Sequence, residues 1–250
     1  MRSWPGPRRC GWGCWAPRPR RAWCASPSPL PQARAQQALS ALGESEEARA
    51  ALLEAVLEAK SDAECARLSR LLQPQARRLA RPALAALSRA ARSRLKKSLA
   101  AAEPLLALLG LADAAELATL LREEAAKAPA ERARELYSAL LKSDRAKDGD
   151  RLALARLELA RSNLDLASRS GDPALELFSA LARRGIPVAD ELAADEKLTP
   201  EHRFYVGFHL AEIAGLAREV GHEVLLGVAQ GRGKLAKQAR AKLKTTSYEG

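Results

Sequence analysis

The sequence predicts an all-α fold, and three observations carry that reading. Ala and Leu dominate the apolar composition, while Val, Ile and Thr are rare and aromatic residues make up only 4% of the 250-residue chain. Both dominant residues favour helix and lose little rotamer freedom there, so a core built from them suits closely packed helices. No stretch alternates apolar and polar residues as a half-buried strand would. Finally, Pro82, Pro104, Pro129, Pro173 and Pro200 each stand where a helical pattern begins. At the first helical position a missing N–H costs nothing.

Residues 1–33 fall outside the pattern. They hold six Arg and no acid, all four Trp, three of the four Cys and seven of the fourteen Pro. So much Pro and Gly prevents a regular element, and the segment reads as a disordered basic tail, or as one encoded upstream of the true start. It lacks the apolar centre of a secretory signal. Cys10, Cys14 and Cys24 find no fourth zinc ligand nearby, and Cys65 is alone in the body. No run approaches the roughly 18 to 20 apolar residues of a membrane span. The single body Cys and the missing export signal make the cytoplasm the expected compartment.

Residues 34–250 are expected to form one helical-hairpin domain. The pattern predicts helices over 34–42, 45–59, 62–72, 74–80, 82–101, 104–109, 113–126, 129–143, 150–169, 173–184, 188–194, 200–217, 219–229 and 233–244. Ser61 and Glu64 have capping-box spacing, and Asp172 and Thr199 precede Pro as caps. Gly110 and Gly185 follow helical runs, where a left-handed residue is wanted. The links are short, so consecutive helices should lie antiparallel, as irregular hairpins forming an α-solenoid-like array or a compact bundle.

Many short helices with Leu pairs such as Leu120-Leu121 and Leu140-Leu141 resemble the α-solenoids of the HEAT or tetratricopeptide kind. The segment "ALELFSALARRGIP", 174–187, resembles the second helix of a tetratricopeptide unit, with Ala174 and Phe178 at the matching spacing. Leu181 stands where that pattern has a small residue, and Pro187 falls one position late. The resemblance therefore implies an architecture and no particular family.

Two surfaces are candidates for function. The stretch "TPEHRFYVGFHLAEIAG", 199–215, concentrates rare chemistry, and His222 follows it. On a helical wheel Phe204 and Phe208 share one direction, while His202 and His209 share another with Tyr205, Ile213 and Leu216. Gly207, Ala211 and Gly215 recur every fourth residue as a small-residue groove for a neighbouring backbone. His202 and His209 stand about two turns, roughly 10.5 Å, apart, too far to share one ion. No catalytic residue, metal ligand or cofactor motif is assigned. Phe204, Gly207, Phe208, His209, Ala211 and Gly215 are read instead as a structural keystone helix.

The second candidate is basic. The net charge is +11, and between Cys65 and Ala102 stand ten Lys or Arg and no acid. Arg77, Arg78, Arg81, Arg89, Arg92, Arg94, Lys96 and Lys97 belong to this run, and Lys237, Arg240 and Lys244 belong to a second one near the C-terminus. Such faces attract phosphates. They lack the interleaved aromatics of single-strand binders, and solvated outer faces of helical arrays carry the same residues. The expected role is a non-enzymatic scaffold or adaptor that binds another protein. Phosphate-backbone binding to nucleic acid is the alternative, and an enzyme or metal protein centred on residues 202–222 ranks third.

Overall fold

A computed structural model describes residues 45–167 and 171–247, and the expectations for the tail and for a helix over 34–42 lie outside the described residues. Twelve α-helices and one 3-10 helix are present, with no strand among the described residues. The helices are α1 (Glu46–Glu58), α2 (Asp62–Leu72), the 3-10 helix (Gln73–Arg78), α3 (Arg81–Leu95), α4 (Leu99–Ala112), α5 (Ala114–Lys127) and α6 (Ala130–Leu141). They continue with α7 (Asp148–Leu159), α8 (Pro173–Arg183), α9 (Val188–Ala194), α10 (Pro200–Leu210), α11 (Leu216–Ala229) and α12 (Lys234–Ser247).

Side-chain caps explain half of the twelve α-helix starts. Ser45, Ser61, Ser98, Asp113, Asp172 and Thr199 each accept a backbone N–H from the first turn of the helix they precede. Glu64 closes its end of the box one residue early, accepting the N–H of Lys60 at 3.2 Å. His202 takes the place of the usual Glu in a second box, its Nδ1 accepting the Thr199 N–H at 3.2 Å.

Four predicted boundaries are corrected. The helix expected over 82–101 ends at Leu95, because Ser98 is extended and caps a new helix through the Ala101 N–H at 3.0 Å. Pro104 therefore lies inside α4 rather than starting a helix, and Gly110 lies inside it as well. Gly110 allows close approach: a Cβ there would meet Leu117 Cδ2 of α5 at 3.0 Å. The helix expected over 150–169 stops at Leu159, where Ser162 and Asp165 turn their side chains onto the Leu164 and Ala167 N–H groups. Such side chains compete with helical hydrogen bonding.

The helix expected over 200–217 stops at Leu210. Gly215 has φ 74° and ψ −150°, a conformation essentially reserved for glycine, and there the chain reverses into α11. Gly215 is thus a turn residue and not a member of the small-residue groove, and Ile213 and Leu216 leave the face shared with His209. Gly207 and Ala211 do meet a neighbour. A Cβ on Gly207 would come within 3.2 Å of the Leu225 amide nitrogen, and one on Gly221 within 2.7 Å of the Leu210 carbonyl carbon.

Helices pack mainly on those next or next-but-one in sequence. Thus α1 packs on α2 and α3, α4 on α2, α3 and α5, α6 on α5 and α7, and α11 on α9, α10 and α12. Each unit leans on its sequence neighbours, as in a helical-repeat array. Two main clusters of buried Leu and Ala result, one from Leu53 to Leu140 and one from Leu152 to Val224. A small third cluster joins Phe204, Ala211, Leu225 and Ala239. Ala174 and Phe178 are fully buried in α8, and Leu181 is buried beside them.

Among the described residues no helix is long and apolar enough to cross a membrane.

Candidate functional site

The aromatic helix α10 is buried on most sides, with Phe204, Tyr205, Val206, Gly207, His209 and Leu210 all inside. Phe204 and Phe208 lie with ring centroids 5.8 Å apart, and Lys242 of α12 places its ammonium 4.2 Å from the Phe208 ring centre. The same ammonium pairs with Glu212 at 2.7 Å. The three histidines go to three different places. His202 caps α10, His209 packs edge-on against Tyr205 at 4.7 Å, and His222 Nε2 lies 2.8 Å from Thr246 Oγ1 of α12. Among the described residues no group of three or more His, Cys, Asp and Glu is placed to hold a metal ion.

Asp172 makes the densest polar cluster near that helix. Its Oδ2 accepts hydrogen bonds from Ser162 Oγ and Tyr205 Oη, both at 2.6 Å, and its Oδ1 accepts the Ala174 and Leu175 N–H groups. Burial alone would raise the Asp172 pKa, but these four donors outweigh it and hold the carboxyl below its usual range. Burial first, then the bond to Asp172, pushes the Tyr205 phenol up to about 12. Four donors occupy the four lone-pair sites of the Asp172 carboxylate and leave none for a substrate proton, and a phenol this high stays protonated near neutrality. The cluster instead ties α8 and α10 to the segment after α7.

That chemistry makes a prediction. In an ultraviolet titration Tyr205→Phe is expected to remove the highest-pH phenolate step, and to cost about 1.5–3 kcal/mol of stability, the range for a hydrogen bond to a charged group. A raised folded pKa stabilises fully below the unfolded value near 10 and loses that contribution as pH rises through 12. The cost should therefore shrink above pH 10. An unchanged titration curve in the variant would remove Tyr205 from this role.

The basic residues divide in two. Arg92 pairs with Glu123 and, at 3.8 Å, with Glu124, fixing α3 to α5. Arg94 binds Asp62 and the Ala59 carbonyl, both at 2.8 Å. Arg240 donates to the Ala229 carbonyl at 2.8 Å and the Gly231 carbonyl at 3.3 Å, closing the end of α11. Arg89 reaches back to the Ala85 carbonyl of its own helix. By contrast Arg77, Arg78, Arg81, Lys96, Lys97, Lys237 and Lys244 are exposed and make no ion pair among the described residues. The two basic runs sit on separate parts of the array: α3 packs on α1, α4 and α5, while α12 packs on α10 and α11.

Two features carry no signal in the sequence. One is the ion pair of Arg122 in α5 with Asp150 in the first turn of α7, closed through both carboxylate oxygens at 2.8 Å. The other is an open groove of about 870 Å³ between α4 and α6. Its floor is Leu106, Leu117 and Leu121, and Glu103, Arg132, Glu135 and Lys142 stand at its rim. Leu99 and Leu117 are half-buried and Ala107 is exposed, so apolar surface remains open along it. Residues separated by 20 or 30 positions meet here, and no local pattern announces the meeting.

No family model, curated protein or solved structure matches the chain.

Proposed function

We propose that this chain is a non-enzymatic scaffold or adaptor whose helical array binds another protein. The observation that carries the reading is the apolar groove between α4 and α6, open and bordered by charge of both signs. An apolar centre with a polar rim is the anatomy of protein–protein contact surfaces. The polar clusters elsewhere support it indirectly. The Asp172 carboxylate and the Arg122–Asp150 pair spend their hydrogen bonds on neighbouring helices, which suits a rigid platform more than a reacting centre.

The second reading, binding of a nucleic-acid backbone, is favoured by the exposed cations Arg77, Arg78, Arg81, Lys96, Lys97, Lys237 and Lys244. One experiment separates the two. The full chain is used to recover partners from native lysate with and without nuclease, across a salt series. A stoichiometric protein partner that resists nuclease is the expected result. Recovery of nuclease-sensitive material alone, falling steeply with salt, would replace the scaffold reading by the second.

A further inference from the structure

The groove between α4 and α6 is shaped for a helix. Along α4, Leu99, Glu103, Leu106 and Ala107 line it at intervals of three and four residues, one helical face over about two turns. Leu117 and Leu121 of α5, one turn apart, form its floor together with Leu106. That floor carries no polar side-chain atom, whereas small-molecule pockets converge a few polar groups on the ligand.

The charges stand at the rim, and they are unequal in availability. Arg132 is engaged by Glu135 at 2.6 Å and by the Leu95 carbonyl at 2.9 Å. Glu103 on the α4 wall and Lys142 at the end of α6 are exposed, and neither makes an ion pair among the described residues.

The geometry points to one occupant: an amphipathic helix of a partner protein, with an apolar stripe on Leu99, Leu106, Leu117 and Leu121. It carries a Lys or Arg facing Glu103 and an Asp or Glu facing Lys142. This assignment rests on the scaffold reading and names the chemistry of the partner. The mode is helix in groove, read by anchors at i, i+3 or i+4, and i+7.

The test uses the full chain and a labelled synthetic helix of about 14 residues, long enough to hold helical structure when seated. The probe has a Leu stripe flanked by Lys along one edge and Asp along the other, and a second probe has the two charges exchanged. Saturable one-to-one binding is expected by fluorescence anisotropy. Ala107→Arg, at an exposed position that needs no core rearrangement, is expected to weaken it about tenfold or more, about 1.4 kcal/mol. The paired reversal Glu103→Lys with Lys142→Glu should switch preference to the exchanged probe. Circular dichroism melting checks that both variants stay folded.

No saturable binding, or binding indifferent to Ala107→Arg and to the reversal, overturns the assignment. So does concentration-dependent dimerisation that Ala107→Arg abolishes, which would make a second copy the occupant. A nuclease-resistant native partner retained by Ala107→Arg overturns the groove assignment and leaves the scaffold reading standing. A chain that recovers only nuclease-sensitive material removes the scaffold reading and the partner helix with it, whatever the probe does.

Discussion

Asp150→Ala is expected to destabilise the protein by about 3 kcal/mol, near the lower bound for breaking a buried pair by removing one partner. Asp150 is 5% exposed. Arg122 meets its carboxylate through two nitrogens, and the Lys147 N–H donates to the same group at 2.7 Å. Arg122 also donates to the Arg145 carbonyl at 2.7 Å, so a single guanidinium holds α5, the link before α7 and the first turn of α7. Removing the acid leaves a part-buried cation without its partner and takes the negative charge from a helix N-terminus. The lower bound applies because the Arg122 side chain keeps 27% of its exposure. In thermal melts the loss corresponds to about 6–12 °C. Arg122→Met is expected to cost a similar amount, and the double change Arg122→Met with Asp150→Leu less than the sum, since replacing both charges removes the stranded one. Strict additivity of the two single changes would remove the pair from this role.

The pH dependence follows from the sign of the shift. Burial works to raise the Asp150 pKa, but the hydrogen bonds from Arg122 and Lys147 and the guanidinium charge outweigh it, leaving the carboxyl below its usual value. A depressed folded pKa gives stability that is fully present above the unfolded value, about 3.9, and is lost as pH falls through the folded one. The gap between the native chain and Asp150→Ala should therefore hold from neutrality down to about pH 4 and close below it. Asp172, depressed by its own set of donors, loses its contribution in the same acid range.

The helical class and most helix starts were legible because caps and prolines act locally. Ser61, Asp172 and Thr199 sit one residue before the turn they serve, and each does in space what its spacing implies. Helix ends were less legible. Ser98 starts α4 inside an Ala- and Leu-rich run, and Pro104, the more visible signal, lies in that helix at the sixth position. The cost of an interior proline is offset by packing that no window of a few residues contains. The site was least legible of all. Whether Arg92 is a free cation or a tie to Glu123 depends on a residue 31 positions away. Ala107, exposed along the groove, looks in the sequence like any other Ala of a Leu-rich helix.

The small-residue stripe of α10 gives the second large effect, and it depends on one glycine of the partner helix. Gly221→Ala is expected to destabilise by about 2–3 kcal/mol, within the range for inserting a methyl group into a closed contact. Helix propensity predicts the opposite, a gain of about 1 kcal/mol for Ala over Gly in a helix interior. Packing wins because the obstruction is backbone. A Cβ at Gly221 would stand 2.7 Å from the Leu210 carbonyl carbon and 2.8 Å from the Ala211 Cα, neither of which rotates aside as a side-chain end would. Relief requires α11 to lift from α10, which would part Gly207 from Val224 and Leu225 and open the cluster around Phe204 and Ala211. The control lies in the same helix, six residues on. Gly227 is exposed, and a Cβ there meets nothing within 4 Å, so Gly227→Ala should be governed by propensity alone and stabilise by about 0.5–1 kcal/mol. Chemical denaturation of the two variants reads both signs. If Gly221→Ala is neutral or stabilising, α10 and α11 are not in backbone contact, and the assignment of residues 204–211 as a packing surface falls with it.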